Sequence, residues 1–403
     1  MNPPSEPPGA VLITFLGRAP KAQGRYRTTR YRFEGRELPA LAFVGWLLGK
    51  ELGVDRLMVL GTPGSMWDHL FEIDVDLGTA HEAERMALIE AVELKAVTPE
   101  QLRPLQAAIS AGHGRAVDLV LIPDAVDFAG QIELVRLIAE RVRQGERVHL
   151  DVTHGLRHLP MVALMAMLQL RVSREIELGK VLYGEYDPDA GEGRIHDLGG
   201  LLHIADWIAA ISTFRKDGDY GVLAPLLERD GLPADASQAL RNAAFYERVL
   251  DSGQARGQLR RVRDPLSRMS SGLAQLFKGA LLDEFSWVDA QRHHERQFLQ
   301  ARHYIDSGDY LRAAVFAFEA AVSKACLALG KSPDTSEGRD YAREHLKNLR
   351  PEPRFWRDLR QLRNALAHGE RDAQLFSNDV DARRRLSALI DAATEFQFPE
   401  RRR

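Results

Sequence analysis

Up to residue 187 the chain alternates short apolar runs with stretches of helical periodicity, and beyond it only helical patterns follow; this asymmetry most limits the possible folds. The runs are VLITFLG (11–17), RLMVLGT (56–62), VDLVLIP (117–123), RVHLDVTHG (147–155) and KVLYGEYD (180–187). The helical stretches between them include LPALAFVGWLLGKEL (38–52), FAGQIELVRLIAERV (128–142) and LPMVALMAMLQL (159–170). Unbroken β-branched runs separated by amphipathic helices predict a parallel sheet covered on both faces, a Rossmann-like α/β domain. Ligands in such sheets bind beyond the carboxyl ends of the strands. The largely helical segment 71–113 is expected as an insertion between strands. DPDAGEGR (187–194) is expected as a turn-rich loop.

The second half predicts an all-α domain. GDYLRAAVFAFEAAVSKACLALG (308–330), FWRDLRQLRNALAHGE (355–370) and DARRRLSALIDAATEF (381–396) each show helical periodicity. The expected boundaries are an α/β domain over 1–200, a helical connector over 201–290 and a compact helical domain over 291–403. The 45% hydrophobic and 28% charged content suits globular domains, and the single cysteine, Cys326, excludes an internal disulfide. LPMVALMAML is too short to span a bilayer and is expected as a core helix, so no membrane segment is assigned. The Pro-rich opening MNPPSEPPGA is not a charged-then-apolar leader, and the expected compartment is the cytoplasm.

The net charge of −3 argues against a general nucleic-acid coat, but the charge is uneven. Arg18, Lys21, Arg25, Arg27, Arg30, Arg32 and Arg36 face only Glu34 in one short segment after the first strand. These residues are expected either to contact phosphates or to form solvated surface. The tail Arg401 to Arg403 is expected to be solvated. Three strand ends carry small polar residues: Gly17 and Arg18; Thr62, Gly64 and Ser65; and Asp151, Thr153, His154 and Gly155. Converging at one sheet edge, they predict a pocket in which glycines allow close backbone approach and neutral side chains offer hydrogen bonds. No GxGxxG follows the first strand and no Walker lysine is present, which excludes the usual dinucleotide and P-loop sites.

RNALAHGE (363–370) sets a geometric problem. At about 100° per residue, Asn364 and His368 share a helix face, while Arg363 and His368 lie about 140° apart. The adjacent His293 and His294 point to different faces, lack a completing cluster of acids or cysteines, and are expected on the surface; no metal site is assigned. Glu319, in an apolar helix, is expected to pair with Arg363 or another arginine.

DVTHGLRHLP (151–160) resembles the signature of the CRISPR-associated DxTHG family, whose N-terminal CARF domain is a Rossmann-like sensor of cyclic oligoadenylates. RNALAH resembles the RNxxxH motif of HEPN ribonucleases, and CARF followed by HEPN is also that family's order. LLHIADWIAAISTFRKDGDY (201–220) resembles the connector, and the helix holding Glu319 resembles the first helix of the nuclease. Where family members commonly carry Thr-Gly after the first strand's LG, this chain has Arg18-Ala19-Pro20.

The resemblance implies a homodimer or higher homo-oligomer in which two copies of the motif helix meet, bringing Arg363 and His368 together across a two-fold axis. It implies catalytic Arg363, Asn364 and His368, cleaving single-stranded RNA without a metal and sparing DNA. It implies a cyclic oligoadenylate activator, favoured as cyclic tetra-adenylate, contacting Thr153, His154, Arg157 and the segment from Thr62 through Ser65 and Met66 to Trp67. Two further readings stand beside it: a sensor whose helical domain only dimerises, and a CARF domain that opens the ring through Thr153 or His154.

Overall fold

The computed structural model describes residues 9–22, 25–71, 81–369 and 376–398. Of the Pro-rich opening MNPPSEPPGA, residues 1–8 lie outside the described residues, as do the basic tail and Glu370, while Ala10 already begins the first strand. The chain divides into two compact units, 1–205 and 206–403.

Among its described residues the first unit has ten strands: β1 (Ala10–Leu16), β2 (Lys21–Ala22), β3 (Arg25–Tyr26), β4 (Tyr31–Phe33), β5 (Arg36–Glu37), β6 (Arg56–Gly61), β7 (Ala116–Leu121), β8 (Arg147–Asp151), β9 (Glu177–Asp187) and β10 (Glu192–Asp197). Its helices are α1 (Gly45–Glu51), α2 (Glu82–Glu93), α3 (Pro99–His113), α4 (Phe128–Arg141) and α5 (His158–Ser173). Eight strands form one sheet in the order β5-β4-β10-β9-β8-β1-β6-β7, and β2 pairs with β3 separately. From β9 to β7 every pairing is parallel, as the sequence pattern predicts. The apolar runs are unbroken because alternate residues serve opposite faces. Leu12, Leu16, Leu57 and Val59 join one core with residues of α1, α2 and α3, while Val11, Ile13, Phe15, Met58 and Leu60 join another with residues of α4 and α5.

Two local expectations change. The segment 187–194 is not all loop: after a tight turn with Gly191 at φ 70°, β10 returns antiparallel to β9. Its only buried apolar side chain is Ile195, too little for a strand signature. The helix expected over 38–52 begins only at Gly45, because Leu41 exchanges both backbone hydrogen bonds with Thr29 (2.9 and 3.1 Å). The largely helical segment lies between strands as expected: its described part, 81–113, holds α2 and α3 between the neighbouring parallel strands β6 and β7, with α3 packed beside β7.

At the edge where β6 begins, Arg56 is buried and anchors three elements. Its guanidinium donates to Asp118 on β7 (2.5 Å), to both oxygens of Glu146 before β8 (2.9 and 2.8 Å) and to the Arg141 carbonyl ending α4 (2.9 Å). Glu146 is 2% exposed.

The second unit is entirely helical among its described residues. It holds most of α6 (Gly200–Asp217), then α7 (Ala224–Arg229), α8 (Ala234–Arg248), α9 (Ser252–Arg268), α10 (Ala274–Glu284), α11 (His293–Asp306), α12 (Tyr310–Ala328), α13 (Ser336–Asn348), α14 (Arg354–His368) and α15 (Asp379–Glu395). One apolar cluster runs from Trp207 to Val288, and another gathers α11 to α15 around Phe316, Phe318 and Trp356. His294 is buried edge-on to Phe298, and His293 lies beside Arg296, so the pair expected on the surface instead belongs to the packed first turn of α11.

Breaking the Arg56 network is expected to be costly, because removing one partner leaves a charge buried and partly unpaired. Glu146→Ala should destabilise the first unit by about 3 kcal/mol, measured by urea unfolding with tryptophan fluorescence. A change below 1 kcal/mol, roughly that of an exposed pair, would show that Asp118 and the Arg141 carbonyl suffice for Arg56.

Candidate functional site: a cleft beyond the strand ends and a motif at a helix end

The chain turns from one side of the sheet to the other beside β1, with β6 and β7 added on one flank and β8 and β9 on the other. Loops leaving β1, β6 and β8 therefore diverge at a switch point, where a crevice opens. A cleft of about 600 Å³ lies there, lined by residues of all three loops. That volume falls in the range of small-molecule sites, roughly 300–1,000 Å³.

The cleft depends on an acid that does not line it. Asp151, the last residue of β8, is fully buried and accepts from Thr14 of β1 (2.6 Å) and from the hydroxyl and backbone N–H of Thr153 (2.5 and 3.0 Å). The Thr153 hydroxyl in turn accepts from Gly184 N–H on β9 (2.8 Å). Four segments are thus tied together where the strand gives way to the turn. The next residues make that turn tight: Gly155 has φ 93°, and a Cβ on Gly17 would lie 2.8 Å from the Gly155 nitrogen. Both positions therefore need glycine.

Of the expected ligand residues, Gly17, Arg18, Thr62, Ser65, Thr153, His154 and Gly155 line the cleft. Met66, Trp67 and Asp151 are fully buried and act as supports. The Met66 N–H donates to the Gly17 carbonyl (3.0 Å), and the Trp67 indole donates to the Thr62 carbonyl (2.9 Å). Arg157 is exposed at the start of α5 and is not part of the lining. Sequence reasoning missed Lys95 and Asp124. Lys95 follows α2 at φ 54°, an uncommon conformation for a residue with a side chain. No local pattern announces it, since α2 reaches the cleft only through the fold.

Electrostatics divide the lining. Arg18 is paired with Glu93 (2.7 Å), which also receives Lys21 (3.0 Å); these cations hold the Glu93 carboxyl below its usual range. Other members of the basic segment are paired as well, Arg32 with Glu37 and Glu192, and Arg36 with Glu51. His154 differs: its partly buried ring accepts from the Val44 N–H (3.4 Å), and burial pushes its pKa below the usual histidine value, with the Asp151 charge opposing. The imidazole is neutral at pH 7 and offers hydrogen bonds without charge.

In the second unit, α14 buries Phe355, Trp356, Leu359, Leu362 and Ala365. Arg363 and Asn364 are half-buried, His368 is exposed as the last helical residue, and Gly369 closes the helix at φ 63°. Arg363 stacks on Phe318 of α12, its guanidinium carbon 4.5 Å from the ring centroid. Glu319 binds Arg339 and Arg343 of α13, not Arg363. Among the described residues, no group of three His, Cys, Asp or Glu side chains is placed to hold a metal ion, and no helix is long and apolar enough to cross a membrane.

Residues 11–188 match the family model for CRISPR system endoribonuclease Csx1, CARF domain. CRISPR-associated protein MJ1674 of Methanocaldococcus jannaschii is 20% identical over 428 aligned positions, covering 97% of this chain and 66% of that protein. The chain therefore spans just under two thirds of that relative's length. The solved structure of Enterococcus italicus Csm6 bound to cyclic hexa-2'-fluoro-hexa-dAMP aligns with 96% of this chain and 92% of its own, at 12% identity and a TM-score of 0.38.

The neutral state of His154 makes stability depend on pH. A histidine whose folded pKa lies below its unfolded value of about 6.5 contributes fully above that pH and loses its contribution as pH falls toward the folded value. His154→Gln should therefore shrink the stability lost between pH 7.5 and 5.5, read from urea midpoints. His149 shifts the same way and leaves a remainder. An identical loss in parent and variant would show that His154 is not held neutral.

Proposed function

We propose that this chain, whose first unit is a CARF domain of CRISPR-associated type, is an endoribonuclease of the DxTHG family, switched on by a cyclic oligoadenylate and acting in type III CRISPR defence. What carries the reading is the pairing, in one chain, of a CARF cleft floored by the DVTHG turn with an RNALAH motif at the exposed end of α14. In the cleft, Thr62, Ser65 and His154 present uncharged groups to adenines and riboses, and Lys95 and Arg18 lie where phosphates pass. A second copy completes the site across a two-fold axis, and cyclic tetra-adenylate offers equivalent halves to the two copies. Activation requires the ring to bind the cutting arrangement more tightly than the resting one.

The chemistry in the second unit needs no metal in this reading. A ribose 2'-hydroxyl loses its proton and attacks the adjacent phosphorus, the 5'-oxygen leaves with a proton, and a 2',3'-cyclic phosphate remains. His368 transfers a proton; Arg363 stabilises the charge on the phosphorane; Asn364, one turn before His368, orients the imidazole or the phosphate. DNA lacks the nucleophile and is spared. The rival ring-opening activity is limited by geometry: the Thr153 hydroxyl already donates to Asp151 and accepts from Gly184, which leaves His154 as the group to activate a ribose.

The test is cleavage of a fluorescent single-stranded RNA with cyclic tri-, tetra- or hexa-adenylate. Cleavage with the tetra-adenylate is expected to survive EDTA and leave 2',3'-cyclic ends. His368→Ala and Arg363→Ala should each slow it by about 100-fold or more without loss of activator binding. Silence with all three rings, or a magnesium-dependent product with a 5'-phosphate, would overturn the reading. Linear adenylate formed by His368→Ala would assign ring opening to the CARF cleft.

A further inference from the structure

The arginines of α14 are treated unequally. Arg354 and Arg357 both reach Asp358 (3.5 and 3.4 Å), and Arg360 reaches Glu352 (3.3 Å). Among the described residues, Arg363 has no carboxylate partner and instead rests on Phe318. The same ring has a second guanidinium beside it, that of Arg343 on α13, 5.9 Å from the centroid. Phe318 can carry both because it is itself fixed, stacked on Trp356 with centroids 4.9 Å apart.

Arg343 is held from two sides: Glu319 lies 3.7 Å from one nitrogen and Asp340 lies 3.1 Å from another. Glu319 also pairs with Arg339. Two arginines, Arg339 and Arg343, therefore hold both carboxylates, and the unbalanced charge falls on Arg363, which shares the Phe318 ring with Arg343. Burial, and after it the charge on Arg343, pushes the pKa of both Arg339 and Arg363 below the usual arginine value. Arg343 thus lies within electrostatic reach of the motif arginine. Like charges brought together repel, and an anion between them converts the repulsion into binding. The Arg343 side chain is 37% exposed, open to such a ligand.

We propose that Arg343 is a substrate-binding residue of the RNA site: with Arg363 it grips a backbone phosphate next to the one being cleaved, and Glu319 is the positioning residue that aims it. The proposal rests on the reading of Arg363 and His368 as a ribonuclease pair. The tie of Arg343 to two acids fits a ground-state contact, present before and during the reaction, so its loss weakens binding more than turnover. An arginine fork matches phosphate geometry, whereas lysine supplies only a point charge.

The experiment uses the full chain. Binding of a fluorescent single-stranded RNA to the His368→Ala protein is followed by anisotropy across a salt series, and cleavage is measured in the His368 background. Arg343→Gln is expected to lower the slope of log K against log salt by about 0.7, one phosphate on a single strand, and to raise KM about tenfold with kcat within about twofold. Arg343→Lys should keep the slope and recover part of the KM. Glu319→Gln should raise KM less than Arg343→Gln does. Arg360→Gln, on the same helix but tied to Glu352, should change neither quantity.

If the parent cleaves RNA and Arg343→Gln alters neither slope nor KM, the proposal is wrong while the nuclease reading stands. If the parent does not cleave but the slope still depends on Arg343, the phosphate site stands and the nuclease reading falls. Should Arg343→Gln lose its helical circular dichroism, Arg343→Lys and Glu319→Gln decide the question: parental slope and KM in both would overturn the proposal.

Discussion

The carboxylate of Asp151 is the constraint on which the cleft depends. A fully buried charge is stable only with its hydrogen bonds satisfied, and this one is met by Thr14 from the neighbouring strand and by the hydroxyl and backbone of Thr153. The acid therefore fixes the register of β1 against β8, where Thr14 and Asp151 are direct neighbours, and aims the turn that follows. Gly155 and Gly17 can approach closely because that turn has a single position. Through Gly184 the same chain of bonds reaches β9. The DVTHG turn is thus structural at its first residue and faces the cleft at Thr153, His154 and Gly155.

Charge is handled differently in the two units. In the first, the acids and bases around the sheet are largely matched: Arg56 is surrounded by acceptors, and Glu93 draws in Arg18 and Lys21 at the cleft. His154 stays neutral because partial burial favours the uncharged ring. In the second unit matching stops at α14, where the first three arginines have acids and the fourth has an aromatic ring. An exposed ion pair contributes little to stability, about 0 to 1 kcal/mol. The uneven pairing therefore has more bearing on where an anion can bind than on how firmly the helix folds.

The period of the apolar residues determined the parallel core, the helices that cover it and the purely helical second half, since burial on both faces of a strand or on one stripe of a helix leaves a mark in any sequence. Glycine-terminated strand ends likewise announced three of the cleft loops, because close backbone approach needs a residue without a side chain. Tertiary structure alone decided the rest. It placed Asp151, Met66 and Trp67 beneath the cleft, brought Lys95 to its rim, folded β10 back with one buried apolar residue, buried His294, and gave Glu319 to Arg339 and Arg343. Each of these depends on partners far away in the chain, and a side chain's burial or charge partner is set by what packs against it. Sequence spacing can say which groups share one helix face or strand end, but which groups from different elements meet is settled only when those elements pack.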